Sequence, residues 1–154
     1  MAAIITLQSV VDEMELLGAG EAHAFLNRHT GELYGGMDEQ IDKAIGNDDE
    51  KSPEWEREAI RRLREILGSP DWLELPRRGS HEDHRVMEQF CLTHCSGRRQ
   101  QDLLAAISGR GAFGRFRAAI HQFGIEDAWH GFHLKWLAKE AAMWLEANGI
   151  PYKS

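Results

Sequence analysis

Glycine and proline cut this chain into short runs, and that punctuation limits the fold more than any other feature. Gly18, Gly20, Gly31, Gly46, Pro53, Gly68, Pro76, Gly109, Gly111, Gly124, Gly149 and Pro151 stand as its breaks. Glycine supplies turn conformations without steric cost and proline removes a backbone donor, so elements begin and end at these breaks. The longest runs between them are Arg77 to Ser108 and Ile125 to Asn148. No apolar run approaches the ~18 residues of a membrane span, and the start Ala2-Ala3-Ile4-Ile5 lacks the basic flank and long apolar region of an export signal.

Read between the breaks, the elements follow. Thr6 caps a first helix with Leu7, Val10, Val11, Met14 and Leu17 on one face. Glu21 to Met37 reads as a hairpin turning at Arg28-His29-Thr30-Gly31. A short helix spans about Asp38 to Ile45, and Gly46 to Lys51 is a polar loop. Ser52-Pro53-Glu54 starts a helix whose apolar stripe is Trp55, Ala59, Leu63, Ile66 and Leu67. Asp71 to Pro76 is a third short strand, and Ser80-x-x-Asp83 opens a helix running to about Cys95. Helices near Gln100–Ser108, Ala112–Phe123 and Ile125–Asn148 complete the chain. The fold class expected is α+β: a small antiparallel sheet, made of the hairpin plus one short strand, packed with six to seven helices and a mostly helical C-terminal half. Residues 1–154 read as a single domain with no internal repeat.

Charge divides that domain. Residues 1–76 carry 7 basic and 17 acidic side chains, and residues 77–154 carry 11 and 8, for a net charge of -7 overall. Five arginines, Arg98, Arg99, Arg110, Arg115 and Arg117, share the stretch from Ser96 to Ile125 with one acid, Asp102. An arginine cluster can hold a phosphate, whereas an acidic half repels a polyanion. Two cysteines, Cys91 and Cys95, rule out a disulfide framework and fit a reducing cytoplasm.

Four places could carry chemistry. Gly109-Arg110-Gly111-Ala112-Phe113-Gly114 spells Gly-x-Gly-x-x-Gly, but the residues before it read as helix and no acid follows ~20 residues later at a strand end, which argues against a dinucleotide site. What remains is an anion site of Arg98, Arg99, Gly109, Arg110, Gly111, Arg115 and Arg117, or else a plain helix–helix corner. His84, Cys91 and Cys95 fall within a ~40° arc of one helix and are the metal candidates, set against Cys91 as a small core hydrophobe. On the last helix, Trp129, Phe132, Trp136, Met143, Trp144 and Ala147 define an apolar face, widened by Leu137, Ala141 and Leu145, that also bears His133 and Glu140, with His130 at its edge. An ionisable group among tryptophans needs a partner, so Glu140 is expected to be buried and paired with a cation such as Arg117. These three residues are the catalytic candidates. Last, the chain has no Gly-x-Ser-x-Gly elbow, no phosphate loop ending in Gly-Lys-Ser/Thr and no His-Glu-x-x-His.

Several stretches together resemble a known family. They are Phe25 to Glu32, Trp72 to Pro76, Ile107 to Arg117, Trp129, and Trp144 to Ile150. The most specific is Gly-x-Gly-Ala-Phe-x-x-Phe-Arg at 109–117, which departs from the pattern at Gly114, where a basic residue is more typical. On these residues the chain resembles uncharacterised bacterial protein family 0158, from about Val10 to Pro151. The resemblance implies a fold and a bacterial cytoplasmic setting, and it transfers no catalytic residue.

Function comes from sites. The reading expected from sequence is a non-enzymatic binding or regulatory domain for a protein partner, without a cofactor. The alternatives are a phosphate or nucleic-acid binder using segment 98–117 and a small enzyme using His133 and Glu140. A continuous arginine groove would favour the binder of phosphates, an exposed apolar patch the protein-binding domain, and a pocket reaching both His133 and Glu140 the enzyme.

Overall fold

The structure, a computed structural model, describes residues 5–17, 22–46, 51–77 and 79–154. Among them are seven α-helices and one three-stranded antiparallel sheet, in the order α1 (Leu7–Leu17), β1 (Ala22–Asn27), β2 (Leu33–Met37), α2 (Asp38–Gly46), α3 (Glu54–Leu67), β3 (Trp72–Glu74), α4 (Ser80–His94), α5 (Gly97–Ala106), α6 (Ala112–Gln122) and α7 (Glu126–Ala147). The chain is α+β with a helical C-terminal half. Gly18, Gly20 and residues 47–50 of the expected polar loop lie outside the described residues. The chain packs as two compact units, Met1–Arg77 with Ala141–Ser154 and Arg78–Glu140, so the change of charge at Pro76 falls beside a unit boundary while residues 141–154 belong with the acidic half.

In the first unit, β1 is the central strand, with β2 on one side and β3 on the other. Phe25 faces Tyr34 on β2 and Glu74 on β3, and His23 faces Gly36. The hairpin turn is tied by Asn27, whose Oδ1 accepts from the backbone N–H of His29 at 2.9 Å and of Thr30 at 3.0 Å. Alternation along β1 sends Phe25 into a core with Ile41 and Ala44 of α2 and Ile60, Leu63 and Ile66 of α3. Gly36 keeps that contact close, because a Cβ on it would lie 3.0 Å from both Leu63 methyl carbons and Leu63 would have to give way by a few tenths of an ångström. Thr6 caps α1 as expected, its Oγ1 accepting from the Ser9 N–H at 3.2 Å. The C-terminus returns to this start: Leu7 N–H donates to the Lys153 carbonyl at 2.9 Å and Lys153 N–H to the Ile5 carbonyl at 2.8 Å.

Two helix starts differ from the sequence reading. Helix α3 begins at Glu54 with Pro53 as its N-cap, and buried Ser52 instead offers its carbonyl to Arg57 Nε at 2.9 Å. The N-cap of helix α4 is Gly79, which has no side chain to complete a box; its N–H donates to Glu82 Oε2 at 2.9 Å, so the carboxylate that reaches back is Glu82 and not Asp83. The stripe on α3 also shifts, since Trp55 is 72% exposed and Leu67 41%, while Ile60, Leu63 and Ile66 are buried. Ile60, Leu63 and Ile66 lie along the apolar arc of α3, while Trp55 and Leu67 stand in the first and last turns, so burial follows the side turned to the sheet rather than the bulkiest side chains.

The second unit is built on an aromatic cluster. Phe90 of α4 is fully buried and meets Phe116 of α6 at 6.3 Å and Trp129 of α7 at 5.4 Å, both edge to face. Phe116 and Trp129 stand 4.8 Å apart at 79°. Met87, Cys91, Leu103, Ile107 and Ile120 fill the space around them. Gln100 ends α4, its Nε2 donating to the carbonyls of Cys91, Leu92 and Cys95. These are carbonyls a helix end leaves without internal partners.

Candidate functional site

The glycine–arginine segment forms a corner. Gly109 and Gly111 both adopt left-handed backbone, at φ 78 and 75, between α5 and α6. Arg115 folds back over them: its Nε donates to the Ala106 carbonyl at 2.8 Å, one Nη to the Ser108 carbonyl at 2.5 Å and the other Nη to the Arg110 carbonyl. A Cβ on Gly111 would lie 3.1 Å from Arg115 Nη1. The loop thus turns carbonyls, not N–H groups, toward its own arginine, and Arg115 spends its fork on them. The other arginines are dispersed. Arg98 is 4.0 Å from Asp102, Arg99 lies over the Phe123 ring at 5.0 Å, and Arg110 is exposed. No described feature gathers Arg98, Arg99, Arg110, Arg115 and Arg117 into one groove.

The metal candidates are separated by their partners. His84 Nε2 lies 2.8 Å from the Ile107 carbonyl, and Cys91 is fully buried in the aromatic core. Burial, with nearby Cys95 adding to it, pushes the Cys91 thiol up to about 11, and burial also raises Cys95. A thiol held protonated is a poor metal ligand. Among the described residues no three His, Cys, Asp or Glu side chains are grouped to hold an ion.

Helix α7 carries the remaining candidates. Its deepest line is Leu137, Ala141 and Leu145, all fully buried, while Met143 is 54% exposed. The helix is apolar on most sides, so periodicity in the sequence does not single out the buried one. The face drawn through Trp136 and Met143 is therefore rotated from the true one, and the expectation for Glu140 fails with it. Glu140 is only half-buried and makes no hydrogen bond or ion pair with any described residue. His130 is exposed. His133 is stacked on Trp129 at 5.2 Å and on Trp136 at 6.4 Å, with the rings nearly parallel. Seven residues separate His133 from Glu140, a rise of roughly 10 Å along the helix, and the three catalytic candidates do not converge.

Two hollows flank α7 within the second unit. One, a half-open hollow of about 170 Å³, is lined by Asp83 and Met87 of α4, Phe113, Phe116 and Arg117 of α6, and Trp129 and His133 of α7. It unites Arg117 from the anion set with His133 from the catalytic set, and Glu140 does not line it. The other is an open groove of about 540 Å³ along the outer side of α7. Ala128, Gly131, Phe132 and Trp136 form its apolar floor, Lys135 and Lys139 stand on its lip, and Asp127 lines it at the start of the helix. Gly131 adds no side chain and nothing lies within 4 Å of where its Cβ would be, so the floor sinks in the second turn of the helix. His94 closes one end, stacked on Phe90 at 5.1 Å and edge-on to Phe132 at 5.0 Å.

A further cluster lies in the first unit, on residues absent from the sequence candidates. His23 of β1 has Nδ1 2.7 Å from Glu74 Oε1 and Nε2 against Asp38 Oδ1, with Arg77 Nη1 3.2 Å from the same Nε2. Both ring nitrogens are occupied by carboxylates, so neither is left to act as a base or ligate an ion. The cluster joins β1, the first residue of α2 and the end of β3. Positions 23, 38, 74 and 77 carry no local motif, and only strand register brings them together.

No protein-family model matches the chain, and neither a curated protein nor a solved structure does.

Proposed function

We propose that the chain is a non-enzymatic binding domain that docks an acidic, amphipathic segment of a protein partner along α7, in the cytoplasm and in keeping with the resemblance to family 0158. The observation that carries this reading is the groove on the outer side of α7. Its floor of Phe132, Trp136, Ala128 and Gly131 is apolar and concave. Such a floor gains by covering, because apolar surface removed from water stabilises a complex by roughly 25 cal/mol per Å² before the costs of association. Lys135 and Lys139, one helical turn apart, are exposed and make no hydrogen bond or ion pair with any described residue. A partner helix laid in the groove would place one apolar side chain in the dip at Gly131 and carboxylates four residues apart against the two lysines. Charge on the lip sets orientation and encounter rate, and the aromatic floor sets the lifetime of the complex.

The test uses a synthetic helical peptide with leucine anchors and glutamates at i and i+4, and a twin with lysine at each glutamate position. The acidic peptide should bind in the micromolar range by calorimetry, and weaken about tenfold with Trp136→Ala. Added salt of about 0.5 M should weaken it several-fold, because the charges lie on an exposed rim. Equal binding of the two peptides, or no saturable binding of either, removes the proposal.

A further inference from the structure

The small pocket on the other flank of α7 has a composition that selects a ligand. At about 170 Å³ it is close to the ~150 Å³ apolar cavity that accommodates one benzene ring. Its walls suit a ring: Met87 and Phe116 are buried below, Trp129 forms one side, and Phe113, which is 38% exposed, stands at the mouth. An aromatic side chain left at the surface beside a hollow gains cover when a ring enters.

The polar groups decide the charge of that ligand. Asp83, Arg117 and His133 line the pocket, so a carboxylate or an ammonium could be drawn to it. Asp83 and His133 are each already engaged in an interaction of their own. Arg117 is exposed and makes no hydrogen bond or ion pair with any described residue, unlike Arg115, which is committed to three carbonyls. The available charge is therefore positive. A guanidinium fork matches the two oxygens of a carboxylate, and its stem can run along apolar wall.

We propose that this pocket binds a small aromatic carboxylate, with the ring among Phe113, Phe116, Met87 and Trp129 and the carboxylate on Arg117. The site is separate from the α7 groove, and its occupancy does not depend on a protein partner.

Benzoate is the probe, titrated into the full chain by calorimetry and followed at the Trp129 indole N–H by NMR. Saturable binding in the millimolar range is expected, with the Trp129 signal moving. Arg117→Gln should weaken it about tenfold and Arg117→Lys by less, since a point charge replaces a fork. Phe113→Ala should weaken it several-fold while the Arg117 contact stays intact. Arg117 is exposed and unpaired among the described residues, so both of its variants should melt at the temperature of the parent chain. Benzyl alcohol and benzylamine, which match the ring and remove or reverse the charge, should bind at least about tenfold more weakly. Benzylamine binding as well as benzoate would assign the pocket to Asp83 and overturn the proposal. So would benzoate affinity unchanged in Arg117→Gln, or no saturation by benzoate at all.

Discussion

Replacing Arg115 with alanine separates a structural corner from an anion site more sharply than any other change. The guanidinium donates to the carbonyls of Ala106, Ser108 and Arg110 and spans the α5–α6 turn that Gly109 and Gly111 make possible. A hydrogen bond contributes about 1 kcal/mol net, and bonds from a charged donor up to about twice that. Arg115 is exposed, so water repays part of each lost bond, and roughly 2–3 kcal/mol for all three is the reasoned loss. For a chain of this size that corresponds to a fall in melting temperature of roughly 4–12 °C. Arg115→Lys presents one ammonium where three directed N–H groups stood, so it should recover less than half of the loss. Circular dichroism at 222 nm with heat and urea measures both variants, and the corner should also lose amide-exchange protection at Arg115 and Ile107. If Arg115→Ala melts within about 1 °C of the parent and instead abolishes binding of inorganic phosphate, the corner reading is wrong and the loop is an anion site.

Two other outcomes follow from packing and burial. Gly36→Ala places a methyl carbon 3.0 Å from the Leu63 side chain, which is fully buried, and should cost about 1–3 kcal/mol in urea unfolding, whereas Gly35→Ala, with its nearest neighbour at 3.5 Å, should stay within about 0.5 kcal/mol. A larger loss at Gly35 than at Gly36 would show the helix on the wrong face of the sheet. Burial raises the Cys91 thiol to about 11, so the folded chain holds a proton that the unfolded chain releases at lower pH, and stability should be full below the ordinary thiol range and fall as pH rises toward 11. A two-unit shift bounds that loss at roughly 3 kcal/mol. Cys91→Ala should begin less stable at neutral pH and lose less between pH 9 and 11, and parallel pH profiles for the two proteins would count against the buried thiol.

Much of the fold was legible in the residues themselves. The hairpin, the α1 cap at Thr6 and the succession of helices rest on local chemistry: turn residues, a side-chain oxygen at a helix start, and glycines where a chain must turn. Such signals act within a few residues, so sequence alone carries them. What the sequence left open lies at longer range. Trp55 and Leu67 look as apolar as Ile60 and Ile66, yet only the latter turn toward the sheet. Helix α7 is apolar almost all round, so the side that Leu137, Ala141 and Leu145 bury was decided by packing and not by period. The Gly-x-Gly segment reads equally as cradle or corner until Arg115 is seen to face its carbonyls. His133 and Arg117 were assigned to different chemistries, and the meeting of α4, α6 and α7 places them in one pocket. The pairing of Ile5 and Leu7 with Lys153 joins residues almost the whole chain apart. Local propensity fixes what each segment becomes, but which face is buried and which side chains meet are set by surfaces contributed from distant segments, and only the tertiary structure contains both.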